Sequence, residues 1–194
     1  MRVVSGIAGG IPLLAPKTDL RPTMDRVKGA IFDSLGEWVI GRRVLDLFSG
    51  SGALGIEALS RGAAHATLVE KEVRAVETIE RNLSKTGLKE GAAVHRLDAF
   101  SFLHRLAPAG GYDLIVADPP YEKRPGERDF GSELLGDPAV LAALAPDGWL
   151  ILEKRPVLRW KVPPVWEPVK ERRYGATAVA WFRKREGEAA SPEE

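Results

Sequence analysis

At 194 residues, 44% hydrophobic and with a formal net charge of +1, the chain can bury one sizeable core and carries no overall charge that announces a partner. The absence of cysteine excludes a disulfide framework and any thiolate metal site, and three dispersed histidines, His65, His95 and His104, give no metal cluster, so no metal is expected. No run approaches the ~18 consecutive apolar residues of a membrane span, and Met1 leads into a polar segment rather than a signal peptide, which excludes a membrane partner and points to the cytoplasm.

In chain order, residues 2–5 and 11–14 read as a small hairpin around Gly9-Gly10, and 27–39 as an amphipathic helix. From there short apolar runs alternate with amphipathic stretches: strand 44–48, helix 54–61, strand 66–70, helix 73–86 ended by Gly87, strand 93–97, helix 100–106, strand 113–117, helix 132–144 and strand 149–153. This alternation predicts an α/β, Rossmann-like fold, a mostly parallel sheet with helices on both faces. Residues 165–172 and 177–183 alternate apolar and polar around Tyr174-Gly175, as two closing antiparallel strands joined by a turn do. The organisation expected is one domain, 1–185, of which 1–40 is a hairpin-and-helix extension, with an acidic, disordered tail at 186–194. Gln is absent and Asn82 is the single Asn, while Arg, Glu and Pro abound, the bias of a thermophile's protein.

The first strand runs into a glycine turn. Gly50, Gly52 and Gly55 form a G-x-G-x-x-G pattern that opens a helix, and Glu70 closes the second strand near the spacing where an acid meets ribose hydroxyls. This much fits a nicotinamide or flavin enzyme as well as a methyltransferase. Asp46 shifts the balance: a carboxylate beside the turn would repel a pyrophosphate, yet suits the ammonium and sulfonium charges of S-adenosylmethionine. The cofactor candidates are therefore Asp46, Phe48, Ser49, Gly50, Gly52, Glu70 and Lys71, joined by Asp98 as acceptor for an adenine amine with the Ala99 amide and Phe100 ring beside it. Asp46, Glu70 and Asp98 also read as caps of strand and helix ends.

At the end of the fourth strand stands Asp118-Pro119-Pro120-Tyr121. Two prolines remove two donors and fix two φ angles, so the turn is preorganised. The Asp118 carboxylate and the Pro119 carbonyl can together accept both hydrogens of a planar amine, and Tyr121 offers a face on which a base can stack. In methyl transfer from a sulfonium to an amine, positive charge develops on nitrogen, so an anion belongs beside the nitrogen. Asp118 fits that role at the meeting point of cofactor and substrate.

With these motifs in this order the chain resembles the class I methyltransferases that modify exocyclic amines. Arg21-Pro22-Thr23, then Asp25-Arg26-Val27-Lys28, and late in the chain Arg173-Tyr174-Gly175 with Thr177, narrow the resemblance to the bacterial 16S ribosomal RNA guanine-N2 methyltransferases. It covers about residues 1–185. The resemblance implies a seven-strand sheet with a reversed last strand, S-adenosylmethionine as methyl donor, and the small ribosomal subunit or its assembly precursor as partner; a monomer is expected. One departure is the early hairpin, which lacks a basic residue near Gly10.

Charge distribution agrees with a polyanionic partner. Residues 1–43 carry seven Lys/Arg against four Asp/Glu and residues 153–185 ten against three, giving +3 and +7. Arg2, Lys17, Arg21, Arg26 and Lys28 are the phosphate candidates of the first flank, and Arg173 and Tyr174 the RNA candidates of the second. Thr23, named with them, also reads as the N-cap of a helix whose first turn holds Asp25. A DNA adenine-N6 methyltransferase would share Asp-Pro-Pro-Tyr, but only about thirty residues separate the fourth and fifth strands, little room for a duplex-reading domain. A non-catalytic RNA-binding protein would need the basic flanks and not residues 118–121 together.

Overall fold

Apolar runs with β-branched residues become strands, and the amphipathic stretches between them become helices. The computed structural model describes residues 1–15, 23–120 and 128–185, so Lys17, Arg21, Tyr121 and the tail at 186–194 lie outside the described residues. The elements are α1 (Thr23–Leu35), a 3-10 turn at Gly36–Val39, β1 (Arg43–Leu47), α2 (Ala53–Ser60), β2 (His65–Val69), α3 (Val73–Thr86), a 3-10 turn at Lys89–Gly91, β3 (Ala92–His95), α4 (Ala99–Arg105) and β4 (Tyr112–Ala117). Then follow α5 (Phe130–Gly136), α6 (Pro138–Ala143), β5 (Leu144–Lys154), β6 (Trp166–Tyr174) and β7 (Thr177–Lys184).

The strands form one seven-stranded sheet in the order β3-β2-β1-β4-β5-β7-β6. β1 to β5 pair in parallel, and β7 runs antiparallel to both its neighbours. α1, α2 and α3 bury Ile31, Phe32, Ile56 and Ile79 against one face, while α4, α5 and α6 bury Phe102, Leu134 and Val140 against the other. The chain leaves β1 toward β2 on one side and reaches β4 on the other, so the crevice at their carboxyl ends is the switch point where such sheets bind ligands. β6 closes the edge with Pro168, Lys170, Arg172 and Arg173, a composition that discourages a further strand. Among the described residues no helix is long and apolar enough to cross a membrane.

Several boundaries differ from the sequence reading. The helix expected at 132–144 is two helices, because Asp137 caps a second start by accepting from the Ala139 N–H at 2.8 Å and Pro138 follows as its first residue. β5 begins at Leu144, pairing with Tyr112 before a register shift, and not at residue 149. α1 is already helical at Thr23, its first residue, four residues before the expected start.

The N-terminal hairpin forms around the antiparallel Arg2–Pro12 bridge, with the Val3 N–H donating to the Ile11 carbonyl at 2.9 Å, the Gly10 N–H to the Val3 carbonyl at 2.9 Å and the Leu13 N–H to the Met1 carbonyl at 3.1 Å. The Val4 and Ser5 N–H groups donate to Glu57 at 2.7 and 3.1 Å, and those of Ile7 and Ala8 donate to Ser60, so the hairpin is tied to α2. Gly6, at φ 85, permits this contact: a Cβ there would come within 1.8 Å of the Ser60 carbonyl oxygen. The fully buried Glu57 also pairs with Arg61 at 2.8 Å and Lys28 at 3.4 Å, and removing one partner of such a cluster costs about 3 to 5 kcal/mol.

Candidate active site

The turn after β1 is built from backbone strain and closely packed glycines. β1 stops at Leu47 because Phe48 takes φ 59, a left-handed conformation that costs a residue with a Cβ about 1 to 2 kcal/mol. Its ring packs edge-to-face against Phe100 at 6.4 Å and Phe130 at 5.4 Å, which holds the strained residue. Gly52 has φ 78, and at Gly55 a Cβ would meet the Leu68 side chain at 2.9 Å. That closeness lets the Gly55 N–H reach Asp46 Oδ2 at 2.9 Å.

Three acids surround this turn, and each accepts from backbone. Asp46 is 1% exposed, and burial pushes its carboxyl up to about 7; the Gly55 hydrogen bond opposes the shift, and the nearby charges of Asp118 and Glu70 add to it. Glu70, just past the end of β2, accepts from the Gly50 N–H at 2.8 Å through one oxygen and from the Glu72 N–H at 2.9 Å through the other. Asp98 stands beyond β3 and caps α4, its Oδ1 accepting from the Phe100 and Ser101 N–H groups at 3.1 Å each. Ser49 donates its hydroxyl to the Asp46 carbonyl at 2.7 Å, Lys71 is exposed, and Ala99 is buried as the first residue of α4. The second reading of these acids, as caps and ties, agrees with these hydrogen bonds.

Asp118 follows β4, with Pro119 buried and Pro120 exposed behind it. A cavity of about 90 Å³ opens where the glycine turn meets the ends of β4 and β5, lined by Met1, Lys28, Phe48, Ser49, Asp118 and Glu153, with others. That volume holds reacting groups and not a whole nucleoside, for which pockets of ~300 Å³ or more are usual. Glu153 was not anticipated from sequence. The register explains it: Ala117 of β4 faces Leu152 of β5, so Asp118 and Glu153 are the next neighbours across two parallel strands. Adjacent strands stand ~4.8 Å apart, which puts both carboxylates on one wall. A periodic apolar strand signal carries no mark of which neighbour its last residue will meet.

The RNA candidates divide. Arg2, Arg26 and Arg173 are exposed, and the Arg173 guanidinium donates to the Gly175 carbonyl at 3.1 Å. Lys28 is 3% exposed and turned inward; its ammonium donates to the Arg2 carbonyl at 2.6 Å and sits near Glu57 and Asp25. Burial lowers its pKa, against the pull of those two acids, so Lys28 is a structural cation and not a phosphate contact. Tyr174 is half-buried, packs against the core cluster that holds Ile31, Ile56 and Ile79, and has its hydroxyl buried. The helix period and the charge were read correctly for Lys28, but the buried Glu57 that draws it inward comes from α2.

A seven-stranded sheet with one reversed strand, a glycine turn after β1 and an acid-proline turn after β4 is the class I methyltransferase fold. The chain matches the family described as Conserved hypothetical protein 95 over residues 1–183 and belongs to it. It is 38% identical over 188 residues to the Bacillus subtilis protein YlbH, covering 95% of this chain and 100% of that one. To the Escherichia coli ribosomal RNA small subunit methyltransferase D it is 38% identical over 125 residues, spanning 63% of this chain and 61% of that protein. The solved structure of the Escherichia coli protein yhhF, 34% identical, superposes with a TM-score of 0.76 over 95% of this chain and 97% of that one.

Proposed function

We propose that this protein transfers the methyl group of S-adenosylmethionine to the exocyclic N2 amine of a guanine in 16S rRNA, acting as a monomeric cytoplasmic enzyme on the small ribosomal subunit or its assembly precursor. The observation that carries the reading is Asp118 and the glycine turn lining one cavity. The name of the Escherichia coli relative supports the substrate class. Arg26 on α1 and Arg173 at the end of β6, both exposed, are the cations assigned to phosphates.

The residues around the glycine turn fit S-adenosylmethionine. Burial and then the nearby charges of Asp118 and Glu70 raise the cost of ionising Asp46, an environment that favours a cationic ligand over a pyrophosphate. Each Glu70 oxygen already accepts one backbone N–H, which fixes its direction and leaves lone pairs for ribose hydroxyls. Asp98 has Oδ1 committed to the helix cap, so its Oδ2 is the acceptor assigned to the adenine amine, beside the Phe100 ring. A Cβ at Gly50 would have no atom closer than 4.0 Å, so the turn leaves that side open for a ligand.

When bound, S-adenosylmethionine supplies an electrophilic methyl on a sulfonium, the N–C bond forming as the C–S bond breaks with its electron pair left on sulfur. Asp118 and the Pro119 carbonyl accept the hydrogens of the amine and orient its lone pair. The Asp118 charge stabilises the positive charge arriving on nitrogen. The proton then leaves to water, since the cationic product amine is acidic, and no obligatory base is needed. The test is to map N2-methylguanosine in rRNA from cells with and without this gene product and after addition of purified protein and methyl donor to small subunits lacking it. One guanine gaining the mark is the expected result; methylation of another base or of protein alone would overturn the reading.

A further inference from the structure

We propose that Asn82 is a positioning residue that couples the glycine turn assigned to the cofactor to the N-terminal hairpin that carries Arg2. This rests on the cofactor and rRNA readings above and adds a residue that belongs to neither binding set. The chain holds no Gln and a single Asn, and that Asn is fully buried on α3. A buried amide needs partners for its donors and its acceptor, and Asn82 finds them on two segments far apart in sequence. Its Oδ1 accepts from the Leu14 N–H at 2.8 Å and its Nδ2 donates to the Leu14 carbonyl at 2.9 Å, so it pairs with Leu14 as a neighbouring strand would. Nδ2 also donates to the Ser51 carbonyl at 2.9 Å, inside the glycine turn. One planar group thereby sets the separation and direction of two backbones.

Each end of the bridge leads to the site. Ser51 follows Gly50 and lines the cavity together with Met1. Leu14 follows Leu13, whose N–H donates to the Met1 carbonyl, and the Ile11 carbonyl accepts from the Val3 N–H, so the exposed Arg2 stands between two residues held by that strand. The direct contact between turn and hairpin, from the Ser51 hydroxyl to Met1 Sδ at 3.7 Å, uses a weak acceptor. The ties to Glu57 and Ser60 of α2 and to Lys28 of α1 bypass the turn. A ligand that fixes the turn therefore fixes the Asn82 amide and, through it, the hairpin, because a carbonyl that moves away leaves a buried donor unpaired. The effect is reciprocal: RNA held by the hairpin raises cofactor affinity by the factor by which cofactor raises RNA affinity.

The experiment follows amide hydrogen exchange with and without saturating S-adenosylhomocysteine. In the wild-type protein the Val3, Leu13 and Leu14 amides should exchange by local opening, faster than those of β4, and slow by ~10-fold or more when the ligand binds. Asn82→Asp keeps the acceptor for Leu14 and loses the NH2 bridge; the ligand should still protect Gly50 and Glu72 there but slow the hairpin less than ~2-fold. A merely structural role would speed hairpin exchange in the variant and leave the ligand's protection intact. Wild-type hairpin amides that exchange at the pace of β4 or ignore the ligand, or a variant hairpin protected as in wild type, overturn the coupling, and the wild-type comparison decides even if the variant fails to fold. In a second measurement, small subunits lacking the mark should tighten S-adenosylhomocysteine binding ~5-fold or more in wild type and less than ~2-fold in Asn82→Asp, and equal factors overturn the coupling. Subunits that fail to bind the wild-type protein overturn the rRNA reading and leave the exchange result standing, whereas wild type that fails to bind the ligand overturns the cofactor reading and this coupling with it.

Discussion

The two sides of the cavity hold their acids in different ways. On the β1–β2–β3 side, Asp46, Glu70 and Asp98 each accept backbone N–H groups and so shape the turns that carry them. On the β4–β5 side, Asp118 and Glu153 line the cavity wall itself. The first group ties binding to local folding, whereas the second is positioned by strand register. Substitutions on the first side should therefore change stability and cofactor affinity together, and substitutions on the second should change the chemical step with the fold retained.

The largest effect is expected at Asp118. Asp118→Ala should lower single-turnover methylation by ~10² to 10³, about 3 to 4 kcal/mol, with Asp118→Asn between it and wild type and cofactor affinity nearly unchanged. If Asp118→Asn were as inactive as Asp118→Ala, with wild-type activity titrating through a raised carboxylate pKa, Asp118 would be a general base.

Asp46 sharpens the contrast through pH. Its folded carboxyl titrates at about 7, above the ordinary carboxylate value near 3.8. Below pH ~4 both folded and unfolded chains hold the proton and stability is fully present; as pH rises toward 7 the unfolded chain has released it and the folded chain resists, so stability is lost. Asp46→Asn removes this dependence, and between pH 4 and 8 its stability relative to wild type should rise by about 3 kcal/mol in denaturant titrations. A constant difference across that range would place the charge elsewhere.

Glu70→Ala should weaken S-adenosylmethionine binding by about 1.5 to 3 kcal/mol in calorimetry, and amide exchange at Gly50 and Glu72 should speed up, since both N–H groups lose their acceptor. Equal affinities would break the assignment. The smallest effect is at the exposed flanks: Arg26→Ala and Arg173→Ala should each reduce the slope of log affinity for RNA against log salt by ~0.7 to 0.9. An unchanged slope in both would remove them from the interface.

Local chemistry alone carried the α/β alternation, the glycine turn and the acid-proline turn, because each is encoded within a few neighbouring residues: apolar period, φ freedom and missing donors. The seven-strand sheet with a reversed last strand was implied by family resemblance, whereas the order β3-β2-β1-β4-β5-β7-β6 came only with the tertiary structure. Pro138 marked the break between α5 and α6, yet a continuous apolar period hid it. The tertiary structure alone decided which charges face outward and which acids share a wall. Lys28 and Arg26 lie two positions apart on α1, and only the approach of Glu57 from α2 draws Lys28 inside. Glu153 reaches the cavity because β5 pairs with β4 in a register that sets it beside Asp118, a relation between residues 35 positions apart that no local pattern can contain.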